Sequence, residues 1–223
     1  NGYVKVTVTT TRNLLNDLML IHLLTKSTAD ALGSATACAL LMASGVQEAS
    51  NVQLNFKCEG PIRNVMAIAD GTGGVRGYCG NPSVDPPSVH DAVGRGGIVQ
   101  VVKSHPEWKN PYNGITEMRT GEIDRDVGIY LADSEQRSCA LAASVVSDGY
   151  LCRAAGGYNV EQLPGCDDET VRVIEKNLGK IFSAHAADTS SEHRIPSNLL
   201  LAGDTPIDIA EAILDGLGCN VLN

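Results

Sequence analysis

Past Leu163-Pro164-Gly165 the hydrophobic period of this 223-residue chain changes and does not change back. Ahead of that point, segments in which every second residue is apolar alternate with helical stretches; behind it, apolar residues recur every third or fourth position. Such a division predicts an α+β fold, a mixed sheet core with packed helices over residues 1–166 followed by a C-terminal helical linker arm over 167–223.

Within the first part, Val4 to Thr9 alternates as a half-buried strand does. Arg12 to Leu24 and Ser27 to Ser44 read as helices, with Ser27 as the cap of the second. The small residues Ala31, Gly33, Ala35, Ala37 and Ala39 would let that helix lie close to a neighbour, which is the reading given to Gly33. Strand signals return at Val52 to Cys58 and Pro61 to Ala69, and Asp70-Gly71-Thr72-Gly73-Gly74 turns the chain back into Val75 to Cys79. A loop over Asn81 to Gly96 leads to a strand at Gly97 to Lys103. Ile123, Val127, Tyr130 and Leu131 share a helical face behind Thr120, and Ala140 to Val146 and Leu151 to Val160 are strands again.

In the arm, Val171, Ile174, Leu178, Ile181 and Phe182 make a helical stripe, with Asp167, Asp168 and Glu169 at its N-terminal end. After a polar break, a short helix is predicted over Pro196 to Ala202 and another from Thr205, with Pro206 at its first position and Gly218 as its stop. Ile207, Ala210, Leu214 and Leu217 are its expected buried edge.

Charge follows the same division. Residues 1–166 carry 16 acidic and 13 basic side chains, whereas 167–223 carry 10 and 4, so the arm holds most of the net −9. That balance opposes binding to a nucleic-acid backbone, and no Lys or Arg run offsets it. No apolar run approaches the roughly 20 residues a membrane helix needs. The chain opens on Asn1 with no charged-then-apolar leader, so any targeting segment is expected to be removed or left out. Cys38, Cys58, Cys79, Cys139, Cys152, Cys166 and Cys219 are odd in number and far apart, resembling neither a disulfide framework nor a metal clip.

Catalysis finds little support. The glycine-rich stretches Gly71 to Gly77 and Gly94 to Gly97 lie between strand signals, as turns do, and open no helix that could cradle phosphate. His22, His90, His105, His185 and His193 lack helical metal-ligand spacing. Asp124 and Asp126 stand two apart on a helix, facing different ways, and Arg125 between them suggests a solvated face. No catalytic and no metal-binding residues are assigned. The rival reading is a small-molecule enzyme with a polar pocket built from Arg76, Tyr78, Ser134, Glu135 and Gln136.

Several short words occur in an order that resembles the redox-regulated heat-shock protein 33 chaperone family. They are His22-Leu23-Leu24 before Ala31-Leu32-Gly33, Gly60-Pro61-Ile62, Arg76-Gly77-Tyr78-Cys79-Gly80-Asn81-Pro82, Gly96-Gly97, Tyr112-Asn113-Gly114, Ser134-Glu135-Gln136, Ala154-Ala155-Gly156-Gly157 and Gln162-Leu163-Pro164-Gly165. The resemblance implies an ATP-independent holdase rather than an enzyme, a homodimer whose protomers exchange elements, and a cytoplasmic setting, with an organelle as the alternative. Its partners would be unfolded or partly folded client proteins, not nucleic acid or membrane.

The family's zinc, and the disulfides that replace it on oxidation, belong to Cys-x-Cys and Cys-x-x-Cys pairs in a C-terminal region. No such pair occurs in this sequence, so no cofactor is expected in this chain. Truncation ahead of that region is expected rather than a natural zinc-free form. The arm supplies an independent rationale for client binding: once undocked it would expose Leu199, Leu200, Leu201, Ile207, Leu214 and Leu217 beside solubilising charge.

Overall fold

A helix that is apolar on every side must be covered on every side, and helix α2 (Lys26–Ala43) meets that condition, with 15 of its 18 residues buried. The structure, a computed structural model, describes residues 3–185 and 194–218. In it α2 lies between two sheets. One has three strands in the order β1 (Val4–Thr10), β8 (Cys152–Gln162), β7 (Cys139–Ser147). The other has five, in the order β4 (Val75–Cys79), β3 (Asn64–Asp70), β2 (Asn51–Cys58), β5 (Gly97–Ser104), β6 (Tyr112–Glu117). Every pairing is antiparallel, and the α+β class read from the sequence holds.

Helix α1 (Arg12–His22), the short α3 (Val89–Val93) and α4 (Ile123–Asp133) complete this layer. Gly33 is where it closes most tightly: a Cβ there would stand 2.6 Å from both Leu15 Cδ2 of α1 and Val145 Cγ2 of β7. Small residues on α2 thus set the spacing between helix and sheet. The main core, from Leu15 through Leu32, Phe56 and Val101 to Tyr130, is formed by this sandwich.

Local chemistry moved several expected boundaries. Thr25, not Ser27, caps α2, in a reciprocal capping box with Thr28. The strand expected from Pro61 begins at Asn64, because Cys58 N–H closes a turn on Arg63 O and Arg63 adopts a φ of 66°. The expected loop 81–96 contains α3, capped by Ser88, whose hydroxyl accepts the Asp91 N–H at 3.0 Å. Strand β6 was not anticipated; its Asn113, Thr116 and Glu117 blur the alternation, as an edge strand paired only with β5 permits.

The solvated face expected for Asp124 and Asp126 is corrected outright. Asp126 is 1% exposed, and its carboxylate accepts the N–H groups of Arg119, Thr120 and Gly121 at 2.9, 3.0 and 3.0 Å. Asp124 accepts the Ala143 N–H at 3.2 Å, and burial pushes its carboxyl up to about 6. Both fasten α4, one to the loop before it and one to β7.

Candidate functional site

A strand in a sheet has two faces, and the three-stranded sheet is apolar on both. On β7, Cys139, Leu141, Ala143 and Val145 face the main core, while Ala140 and Ala142 face the other way. Val4, Val6 and Val8 of β1 join Tyr158 and Val160 of β8 on that second face. Together they form a seat that the main core does not cover.

Three helices cover it: α5 (Asp168–His185), α6 (Ile195–Ala202) and α7 (Pro206–Leu214). Ile174 and Ile181 of α5, Ile195 and Leu199 of α6, and Ile209 and Ile213 of α7 are the buried arm residues of this second cluster. Leu200 packs so closely that a Cβ on Gly156 would meet its Cδ1 at 2.7 Å. The glycine therefore marks a close approach of α6 to strand β8.

Polar ties hold the arm to the core at two points and join its own helices at a third. Ser197 is wholly buried, donates its N–H to Ser144 Oγ at 2.9 Å, and pairs hydroxyl to hydroxyl with it at 2.9 Å. Arg194 approaches Asp30 of α2 at 3.7 Å, and Ser147 Oγ donates to the same carboxylate at 2.9 Å. Burial outweighs the hydrogen bond from Ser147 and the charges of Arg194 and Lys26, so the Asp30 carboxyl is pushed up to about 6. Asn177 of α5, 3% exposed, donates to Ile213 O and Asp215 O at 3.1 and 2.8 Å, serving carbonyls that the end of α7 leaves open.

The six predicted client-binding residues divide between the two sides of the arm. Leu199 is buried in the seat, while Leu200 and Leu217 are half-buried against it. Leu214 is half-buried; Leu201 and Ile207 are exposed at 53% and 38%. The expected buried edge of α7 holds at Ala210, which is buried, and in part at Leu217, which packs on the seat, and is corrected at Ile207, which faces outward; Ile209 and Ile213 are buried instead. Apolar residues occupy most of the circumference of this helix, so more than one edge satisfies helical spacing, and packing against β1 and α5 decides which is buried. Sequence reasoning missed Ile195, Asn177 and the two serines; none carries a periodic signal that distinguishes it from a surface residue.

The residues of the rival enzyme pocket are not brought together. Arg76 and Tyr78 lie exposed on β4, an edge of the five-stranded sheet separated from β5 by β3 and β2. Glu135 is engaged elsewhere, pairing with Lys103 at 2.5 Å and Arg137 at 3.4 Å and accepting Tyr130 OH at 3.1 Å. Arg137 in turn forms a two-point ion pair with Glu161 of β8. Ser134 ends α4 as its cap residue.

The environments of the described thiols disfavour the thiolate form. Burial raises all six: Cys58 to about 12, Cys79 and Cys152 to about 11, Cys38 well above its ordinary value, and Cys139 and Cys166 in the same direction. Cys219 lies outside the described residues. Among the described residues no cluster of three or more His, Cys, Asp or Glu could hold a metal. The six cysteines, all free, stand on separate strands, on α2 and ahead of α5, and do not fit the four-thiolate centre that zinc would require.

Against known proteins, the model of the Hsp33 protein family matches residues 1–222. This chain belongs to the Hsp33 family. It is 33% identical over 231 residues to the 33 kDa chaperonin of Clostridioides difficile (strain 630), the match covering all of this chain and 75% of that protein. It is 36% identical over 212 residues to the 33 kDa chaperonin of Thermoanaerobacter sp. (strain X514), covering 91% and 67%. The crystal structure of the 33 kDa chaperonin (heat shock protein 33 homolog) of Thermotoga maritima superposes with a TM-score of 0.81 at 28% identity, over 95% of this chain and 70% of that one. Hsp33 membership gives the chain a chaperone role. No helix among the described residues is long and apolar enough to cross a membrane.

Proposed function

We propose that this chain is an ATP-independent holdase that takes up unfolding proteins on the apolar surfaces exposed when the α5–α7 arm leaves the three-stranded sheet. The observation that carries the reading is the second apolar face of that sheet, on which Val4, Val6, Val8, Ala140, Ala142, Tyr158 and Val160 pack against the arm. A surface of this kind, once bare, suits an unfolded chain. The arm's acidic excess would keep a loaded complex soluble. Its few polar ties make it the part with least to lose on opening.

The partners under this reading are non-native proteins, the setting is cytoplasmic and the assembly is a homodimer in which arms are exchanged between protomers. Zinc-based redox switching of the kind the family resemblance implies finds no ligand set among the described residues; it is expected only where a zinc-binding region follows them, and the conditions under which the holdase acts are oxidative and heat stress. The test is light scattering by a thermally unfolding model protein in the absence of ATP. Suppression at stoichiometric chain concentration is expected; none from either reduced or oxidised material refutes the holdase. Sedimentation showing only monomer at micromolar concentration refutes the dimer.

A further inference from the structure

Single exposed leucines are ordinary on a protein surface, whereas several large apolar side chains side by side are not. At the end of α1, Leu20, Ile21 and Leu23 are 74, 69 and 79% exposed, and at the tip of the β7–β8 hairpin Tyr150 and Leu151 are 89 and 51% exposed. The two segments are neighbours. Asn16 of α1 accepts the Cys152 N–H at 2.8 Å and donates to Cys152 O at 3.3 Å, and Leu20 stands one turn further along the same helix face. Just past Leu23, Lys26 Cβ would lie 3.8 Å from a Cβ placed on Gly149. The hairpin tip therefore runs beside the last turn of α1. Together the five side chains expose on the order of 600 Å², the upper end for the largest patch on a monomer and close to the roughly 800 Å² that each partner gives to a standard interface. The arm meets α1 at its other end, near Arg12, Asn13 and Leu14.

We propose that this patch is a twofold interface between two copies of the chain. Its charges are of both signs and balanced: Arg153 pairs with Asp148 at 2.8 Å, and Asp17 and Lys26 stand exposed at the two ends of the α1 stripe. A twofold axis near Ile21 reverses the stripe, so the leucines meet at the centre and Asp17 of each copy is set towards Lys26 of the partner subunit. Two chains of net charge −9 can meet here without bringing like charges together. A surface for anionic lipid would carry a basic excess, which this one lacks. A surface for unfolding proteins is covered at rest, as the seat is, and this one has no such cover among the described residues. The inference shares with the reading above only the homodimer, to which it adds a core-to-core contact that persists when the arms open.

Sedimentation of the full chain and its variants at micromolar concentration tests the interface. Leu20→Lys and Tyr150→Ser, both at exposed positions, should each raise the dimer dissociation constant about ten-fold or more, the scale of an interface anchor. Ile115→Lys, at an exposed apolar position on β6, should leave it unchanged. Asp17→Lys should weaken the dimer and the further change Lys26→Asp should restore it. Amide shifts that depend on chain concentration should fall on Leu20 to Lys26 and Gly149 to Cys152. A dimer unmoved by both Leu20→Lys and Tyr150→Ser would overturn the interface and leave arm exchange as the link, with suppression of light scattering untouched. A parent chain that is monomeric throughout would overturn it as well. Flotation with phosphatidylglycerol vesicles that is lost in Leu20→Lys, with self-association unchanged, would overturn it in favour of a membrane.

Discussion

The two faces of the three-stranded sheet are made from the same strands and alternate residues, yet they are covered in different ways. The inner face meets α2, which is itself enclosed by a second sheet, and the side chains there, such as Leu32, Ala35 and Ala155, are 0% exposed. The outer face meets a surface arm, and its valines on β1 remain half-buried even when covered. Apolar patterning alone makes both faces sticky; enclosure makes only one of them permanent. A chaperone can use the second kind of face because opening it leaves the first intact.

The largest expected effect sharpens that contrast. Phe56 is fully buried in the main core, and Phe56→Ala should cost about 3–5 kcal/mol of global stability. Its urea transition should shift for every probe together, with suppression of aggregation lost as the fold is lost. Ile213 is equally buried but in the arm's cluster. Ile213→Ala should remove about 2–5 kcal/mol from arm docking, raise hydrogen exchange in α6 and α7 while leaving α2 protected, and increase holdase activity at moderate temperature. Equal loss of protection in α2 and α7 would show that arm and core unfold as one unit.

The next effect comes from making the removable cover permanent. The hydroxyls of Ser144 and Ser197 lie 2.9 Å apart across the seam, so sulfurs in their place need a further approach of just under 1 Å to bond at the roughly 2.05 Å of a disulfide. The double variant Ser144→Cys/Ser197→Cys, once oxidised, should lose most suppression of light scattering and recover it on reduction. Full activity with the bond shown to be formed would place client binding away from the seat.

A smaller effect is electrostatic. Burial raises the carboxyls of Asp30 and Asp124 to about 6, whereas in the unfolded chain both return to the ordinary range near pH 4. A carboxyl raised on folding favours the folded form when protonated. Its contribution is therefore complete below about pH 4 and is lost as pH rises to about 6. Asp30→Asn cannot titrate, so its stability relative to the parent chain should climb across that window by an amount on the order of 1–3 kcal/mol. Urea midpoints measured from pH 4 to 7 check this, and a constant difference would mean that Asp30 pairs with Arg194 strongly enough to titrate normally.

Much of this architecture was legible in the residues. Alternation at Val4, Val6 and Val8 marked a strand with one apolar face, the small residues around Gly33 marked a close approach, and Thr205-Pro206 marked a helix start. What could not be read was which partner each face meets. The valines of β1 serve the arm rather than the main core, a fact fixed by the sheet order β1-β8-β7 and not by β1 itself. On α7, where apolar residues cover most of the circumference, spacing offered more than one edge and packing against β1 and α5 decided between them. Buried polar residues were the least visible: Asp126 read as solvated, and Asn177 and Ser197 carried no signal, because the groups they meet, backbone carbonyls for Asn177 and the Ser144 hydroxyl for Ser197, are distant in sequence.

The smallest expected effect is that of peroxide on this chain. Thiols that respond to oxidants are exposed and ionise easily, whereas the described cysteines are shifted in the opposite direction. Cys152, 3% exposed, is raised to about 11 chiefly by burial and then by Asp30, with Arg12 pulling weakly the other way. Cys166, at the surface ahead of α5, is raised by residual desolvation first and then by the carboxylates of Asp167 and Asp168. At neutral pH nearly all of these thiols stay protonated, and protonated thiols react slowly. Holdase activity measured before and after peroxide should therefore change little, with mild heating remaining the stronger stimulus because it loosens the arm directly. A large peroxide activation that disappears in Cys152→Ala or Cys166→Ala would reveal a thiol switch at the boundary of core and arm, and the seat would then be opened by chemistry rather than by temperature.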